Sequence, residues 1–296
     1  MTFRAGEVAV VGRPNAGKST LVNRLVGEKV AIVSDKPQTT RKRILGIARR
    51  PGAEIALFDT PGIHRPEHRM NSAMVRDATD ALATSDVALL VIDASERRGK
   101  GEEFLIRLLA RVPRPTILAL NKVDLLARSD LLPLIEGFSR RFEFRDIVPI
   151  SARTGEGVED LAGTLAGALP EAEAGYPEDF LTATPESEWI GEVVREKLLE
   201  RTREELPFAS AVVVETVRED DAKNLTVVTA SIVVEKEGQK GIIVGKGGAM
   251  IRDIGKAARE DLEAQTGRRY FLELTVRVRA DWREDEGFLS KLVGGG

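Results

Sequence analysis

The chain has 296 residues, 42% hydrophobic and 31% charged, a globular composition with room for two domains. It has no cysteine, which excludes disulfides and thiolate-held metals and fits a reducing compartment. A net charge of −3 does not advertise nucleic acid for the chain as a whole, no apolar run approaches the ~20 residues of a membrane span, and the N-terminus lacks a signal-peptide pattern.

Up to about residue 169, strand-like and helix-like segments alternate. Strands are predicted at 7–12, 54–59, 86–93, 115–121 and 146–151, several as unbroken apolar runs of the kind covered on both faces. Helices are predicted at about 17–26, 70–83, 101–111, 129–142 and 157–168. The alternation implies a doubly wound, mostly parallel α/β sheet over residues 1–169. Residues 170–186 carry Pro170, Pro177 and Pro185 among many acids and read as a linker. A second domain, 187–296, follows: an acidic helix at 187–205, strands at 211–217 and 224–236 around the charged turn REDDAK, two short helices at about 248–254 and 256–266, and a strand at 271–280. In that last strand Leu272, Leu274, Val276 and Val278 alternate with Glu273, Thr275, Arg277 and Arg279. The order is α-β-β-α-α-β, an α+β arrangement, and the GGG tail is expected to fray.

Two glycine loops carry the chemistry. In the first, Gly12-Arg13-Pro14-Asn15-Ala16-Gly17-Lys18-Ser19 matches GxxxxGK[ST] between a strand and a helix, the context such a motif requires. Backbone N–H groups around Asn15, Ala16, Gly17, Lys18 and Ser19 should wrap a β-phosphate at a helix N-terminus, which continues into Thr20. Lys18 should reach the β- and γ-phosphates, and the Ser19 hydroxyl should ligate Mg²⁺. Further segments select the nucleotide. Asp59-Thr60-Pro61-Gly62 ends a strand, with Asp59 placed to hold Mg²⁺ through water and the Gly62 N–H to meet the γ-phosphate. Asn121-Lys122-Val123-Asp124 ends another, and the Asp124 carboxylate can accept from guanine N1–H and its exocyclic amine, a pattern adenine lacks. Ser151-Ala152 is placed to offer the Ala152 N–H to guanine O6. One of Thr39 and Thr40, with Thr40 preferred, should close on Mg²⁺ and the γ-phosphate. All these segments fall at the carboxyl ends of strands, where open α/β sheets bind ligands. Over residues 1–169 the chain resembles the translation-factor-related GTPases, with GTP or GDP and Mg²⁺ as ligands.

Two positions depart from the glutamine-bearing relatives or qualify the resemblance. Ile63 stands where such relatives carry a water-orienting glutamine. It cannot hydrogen-bond water, so slow unaided hydrolysis is expected, carried by Lys18, Thr40 and Gly62, with His64 read as a surface residue of the second switch rather than a substitute. Asn15 resembles the residue that helps hold a monovalent cation in potassium-stimulated relatives, which makes K⁺ a further candidate ligand.

The second loop, GIIVGKGGAMI at 241–251, lacks the hydroxyl residue after its lysine and has Lys240 where the spacing asks for glycine, so it is not another nucleotide loop. Ile243-Val244-Gly245-Lys246-Gly247-Gly248 followed by Met250 and Ile251 instead gives a GxxG flanked by apolar residues. Glycine lets a nucleic-acid backbone approach, and a following helix N-terminus favours phosphate. The element order and this loop resemble a type II KH module, with Ile243, Val244, Met250 and Ile251 as the floor on which bases would lie. Residues 181–296 carry 18 Lys and Arg against 22 Asp and Glu, but 236–283 carry 11 against 7, a basic stretch suited to local strand recognition.

Along essentially its whole length the chain resembles the Era family of bacterial GTPases. The resemblance implies small-ribosomal-subunit assembly, binding of the 3′ end of small-subunit ribosomal RNA by the KH domain, gating of that binding by the GTP state, and peripheral contact with the inner face of the membrane; the gating is expected to act through GTP ordering loops 34–44 and 62–72, and the protein is expected to be a cytoplasmic monomer. A metabolic P-loop kinase, and a GTPase whose second domain binds protein or another RNA, are the competing readings.

Overall fold

The computed structural model describes residues 2–36, 38–63, 69–96, 100–290 and 292. His64, part of the second switch and the GGG tail lie outside the described residues. Two units separate, Met1–Ala183 and Thr184–Gly296.

The first unit is built from β1 (Arg4–Gly12), α1 (Lys18–Val26), β2 (Ile44–Arg50), β3 (Ala53–Asp59), α2 (Arg69–Thr84), β4 (Val87–Asp93), α3 (Lys100–Leu109), β5 (Thr116–Asn121), α4 (Arg128–Ser139), β6 (Asp146–Pro149) and α5 (Val158–Ala168). The sheet runs β2-β3-β1-β4-β5-β6. All neighbours are parallel except β2 with β3. Every residue of β4 and β5 is buried, as expected of strands covered on both faces. One face packs Leu21, Val22 and Leu25 of α1 and Leu161 and Leu165 of α5; the other packs Ala78 and Leu82 of α2, Leu105 of α3 and Phe138 of α4. The order reverses beside β1, and the loop after β1 opens at that point, the crevice position for a ligand.

β2 was not among the predicted strands. ILGIARR ends in two arginines and pairs antiparallel at the sheet's edge, so it lacks the continuous apolar run of its neighbours. Residues 170–181, read as linker, are fastened to this edge. Buried Glu54 accepts from Gly175 N (2.7 Å) and Tyr176 N (3.3 Å). Arg49 donates to the carbonyls of Pro177 and Phe180, and Ile47 N donates to Leu181 O. A buried carboxylate needs such partners, and the passing backbone supplies them.

The second unit follows the expected order: α6 (Glu186–Arg201), a short α7 (Leu206–Ala209), β7 (Ser210–Asp220), β8 (Leu225–Val234), α8 (Glu237–Val244), α9 (Ala249–Thr266), β9 (Arg269–Val278) and a short α10 (Glu286–Leu289). Its sheet is β7-β8-β9, antiparallel then parallel. The helix positions differ from the prediction. α8 precedes the glycine loop, and α9 is one continuous helix. Gly238 and Gly241 hid the first from a propensity reading, and Gly255 falsely divided the second; a Cβ at Gly255 would make only ordinary contact with Leu274, so the helix runs through it. Leu272, Leu274, Val276 and Val278 do turn inward, onto a core of Val193, Val194, Leu198, Ile254 and Leu262.

Candidate nucleotide site and nucleic-acid interface

The loop after β1 ends at Gly17, in the left-handed conformation (φ 91°), and a Cβ there would lie 2.3 Å from Asn121 Nδ2. α1 then begins with no side-chain cap and no acid in its first turn. Its leading N–H groups and positive dipole end are left for an anion. Lys18 is buried and donates to the carbonyls of Arg13 (3.1 Å) and Gly12 (3.4 Å), so its ammonium is parked at the loop. Burial pulls its pKa down to about 8, against the pull of Asp59.

Three expected metal-side residues converge. Ser19 Oγ donates to Asp59 Oδ2 (2.6 Å), Thr40 Oγ1 donates to the same oxygen (3.2 Å), and the two hydroxyls lie 2.9 Å apart. Asp59 is fully buried and its Oδ1 has no hydrogen-bond partner. Burial pushes its pKa up; Lys18 and the two hydroxyls pull it down. A buried carboxylate with an idle oxygen beside two hydroxyls is an oxygen-donor set that fits Mg²⁺. Thr39 takes another course, its hydroxyl donating to Lys36 O. Gly62 abuts the loop so closely that a Cβ would lie 2.7 Å from Pro14 Cα, and Ile63 N donates to Gly12 O. The Ile63 side chain is buried in the core with Val11 and Ala78. Asn15 has φ 63°, and its Nδ2 donates to Asp35 O (2.8 Å).

At the other end, Asn121 Nδ2 donates to Ala16 O (2.7 Å), tying β5 to the phosphate loop. The Ala152 N–H, expected to face O6, donates to Asn121 Oδ1 (2.9 Å). Lys122 adopts φ 66° and its ammonium is held by Asp93. Asp124 is held below the usual carboxylate range by Ser151, with Arg153 Nη2 donating to its Oδ2 at 2.6 Å. Ser151 Oγ also accepts from Thr154 N. A cavity of about 600 Å³ joins these ends, lined by Lys18, Ser19, Thr20, Thr40, Asp124 and Ala152 among others, a size in the range of small-ligand sites.

In the second unit Gly245, Gly247 and Gly248 all have positive φ (71°, 58° and 79°). A Cβ on Gly245 would stand 2.8 Å from Met250 Cβ, so the chain can fold back on α9 only with glycine there. α9, like α1, starts from a left-handed glycine with no side-chain cap and no first-turn acid. Lys246 is exposed and Arg252 Nη1 donates to Gly247 O (2.7 Å). Val244, Met250 and Ile251 are half-buried, but Ile243 is fully buried in the core and offers no floor to a base. Ile242, beside it, is 54% exposed. Arg277 is paired with Glu215 and Arg279 with Asp285, as Lys240 is with Glu237 and Lys256 with Glu260, while Lys246 and Arg252 stand at the loop itself.

Comparison with known proteins bears on both units. The family described as 50S ribosome-binding GTPase matches residues 7–122, and the KH domain family matches 205–283. GTPase Era of Geobacter metallireducens is 47% identical over 290 residues, covering 98% of this chain and 97% of that one. The chain belongs to the Era family. GTPase Era of Lacticaseibacillus paracasei is 44% identical over 97% of this chain and 96% of its own. Two crystal structures superpose with a TM-score of 0.94 at 40% identity over 98% of this chain: Era with MgGDPNP and nucleotides 1506–1542 of 16S ribosomal RNA (98% of that chain), and a variant of Aquifex aeolicus Era bound to GDP·AlF4⁻ (99%).

This Era-family chain is therefore a GTPase, with a P-loop domain followed by a KH domain. Some pocket residues had no motif to mark them. Arg153 stands in the Ser151-Ala152-Arg153 segment, but its contact with Asp124 was not foreseen, and Ile32 and Val33 in the lining were missed because neither residue type nor spacing ties them to the nucleotide. Among the described residues no helix is long and apolar enough to cross a membrane.

Proposed function

We propose that this Era-family protein is a slow GTP-hydrolysing switch whose KH domain binds the 3′ end region of small-subunit ribosomal RNA during assembly of the small subunit. The observation that carries the reading is the full-length likeness to Era holding MgGDPNP together with a 16S ribosomal RNA fragment. The bare N-terminus of α9 behind the loop at 245–248 supports it, since that loop can receive an RNA backbone.

In this reading Lys18 neutralises the β- and γ-phosphates, and Ser19, Thr40 and Asp59 hold Mg²⁺, whose charge stabilises the transferring phosphoryl group when bound. The Gly62 N–H meets the γ-phosphate. Asp124 accepts from the guanine N1–H and amine, and the Ala152 N–H is shared between Asn121 Oδ1 and O6. Gly12, Gly17 and Lys122 shape the lining. Asn15, which already reaches Asp35 O, helps hold K⁺; equal turnover in K⁺ and Na⁺ would sink that part. In the second unit Val244, Gly245, Lys246, Gly247, Gly248, Met250 and Ile251 meet the RNA, with Ile243 supporting them from beneath. The expected linker belongs to the first domain, so the domains are Met1–Ala183 and Thr184–Gly296 rather than 1–169 and 187–296, and the protein acts as a cytoplasmic monomer with peripheral contact with the inner membrane face, testable by vesicle flotation.

GTP and RNA are coupled through a binding free energy, so RNA must favour the GTP form by the factor by which GTP favours RNA binding. Crosslinking the full chain to total RNA with a GTP analogue or GDP, then mapping the sites, tests this. Enrichment at the small-subunit 3′ end with the analogue is expected; equal yield with both nucleotides overturns the coupling. Asp124→Asn should cut GDP affinity by about a hundredfold, because one buried acceptor is lost to two donors. A kinase reading predicts little change.

A further inference from the structure

Asn23 and Arg24 stand side by side on α1, outside every motif above, and each holds backbone from a different stretch of the pocket lining. Asn23 Nδ2 donates to Ala31 O (2.7 Å), while its Oδ1 accepts from Val30 N (3.0 Å) and Ala31 N (2.9 Å). Those residues run directly into Ile32, Val33, Ser34 and Asp35, all in the lining. Arg24 Nε donates to Ala152 O (3.1 Å) and its Nη2 to Arg153 O, and these two residues are also in the lining. α1 itself is fixed, with Leu21, Val22 and Leu25 buried against the sheet, and its first residues are Lys18 and Ser19.

One helix thus carries the phosphate end of the site and reaches, through two adjacent side chains, two loops separated from each other by more than a hundred positions. Free loops lose conformational entropy when a ligand orders them, and loops held beforehand lose less. Arg153 extends the chain of contacts, because its side chain donates to Asp124 while its carbonyl is held by Arg24. We infer that Asn23 and Arg24 are positioning residues that preorganise the guanine pocket and set the residence time of the bound nucleotide. The inference rests on the guanine reading of the site. Neither side chain touches the phosphates in this role, so they act on binding and not on the hydrolytic step.

The test uses the full-length protein and its variants Asn23→Ala, Arg24→Ala and Arg24→Lys. GDP dissociation is followed by chase with excess unlabelled GDP, alongside KM and kcat for GTP and thermal melting. Asn23→Ala and Arg24→Ala should each speed dissociation about fivefold, the scale of one or two net hydrogen bonds. Arg24→Lys, which keeps a donor, should recover part of the loss. The two effects should multiply in the double variant, because the loops are separate. KM should rise with little change in kcat. Arg24→Ala should also narrow the preference for GDP over 6-thio-GDP, which keeps N1–H and the amine but carries sulfur at position 6; Asn23→Ala should weaken both ligands equally. Wild-type dissociation rates in both variants, or a fall in kcat matching the rise in dissociation rate, overturns the inference. If Asn23→Ala melts early, Arg24→Ala at an exposed position decides. Should the wild type itself fail to prefer GDP over ADP, the guanine reading falls, and the inference with it; unchanged variants of a GDP-selective wild type overturn the inference alone.

Discussion

The loop at 12–18 and the loop at 245–248 each hand a left-handed glycine to a helix with a bare, acid-free first turn. What stands behind them differs. The first is backed by buried ionisable groups, Lys18 and Asp59, whose pKa values burial displaces toward neutrality. The second is backed by an apolar core through Ile243, with Lys246 in solvent. Backbone N–H groups at a helix start suffice to receive a phosphate; altering its bonds needs charge held out of water, where electrostatic effects are larger. The same local geometry thus serves chemistry in one place and recognition in the other.

The largest expected effect breaks the comparison on the chemical side. Lys18→Ala should lower kcat/KM for GTP at least about a thousandfold in single-turnover assays, while RNA affinity without nucleotide stays at the wild-type value. Gly245→Asp with Gly248→Asp breaks it on the other side. A side chain at Gly245 collides with Met250, and both positions have positive φ; RNA affinity should fall about a hundredfold or more by gel shift, while RNA-independent GTP hydrolysis persists.

A smaller effect sharpens the contrast through protons. Lys18 in the free protein has its pKa lowered to about 8, and a bound polyphosphate raises it again. GDP binding should therefore take up a fraction of a proton at pH 8.5 and much less at pH 6.5. Calorimetry in buffers of different ionisation enthalpy reads this directly, and Lys18→Arg, which does not deprotonate in this range, should abolish it. Smaller still is the salt response of RNA binding. Contacts to three or four phosphates give a log–log slope of about −2 to −3 for single strands; a much steeper slope would mean that a wide basic surface, rather than the glycine loop, carries the affinity.

The motif residues at 12–19, 59–62, 121–124 and 151–152 could be read from sequence because each chemical requirement is met within a few consecutive residues. The alternation in β9 was equally legible, since a strand with one covered face shows period two. β2 was not, because an antiparallel edge strand tolerates charge, here the two arginines that end it — and α8 was not, because its two glycines mask a helix held by tertiary packing and by Gln239, which caps its start. Ile243 fitted the pattern of a groove residue equally well, but a half-apolar helix does not declare which of its neighbouring isoleucines points inward. The contacts of Asn23, Arg24 and Arg153 join side chains to backbone across long separations and leave no periodic trace.

Ile63 works as a detent, in the mechanical sense. The residue after Gly62 is seated in the core between the sheet and α2, and its N–H is bonded to Gly12 O. Any displacement of Gly62 large enough to withdraw that side chain exposes an isoleucine, at about 2–3 kcal/mol. Coupling energies between ligand sites are commonly about 1–3 kcal/mol. Gly62 and Ile63 are therefore expected to stay seated against disturbances worth less than this, and to leave their seat as a step when a ligand supplies more.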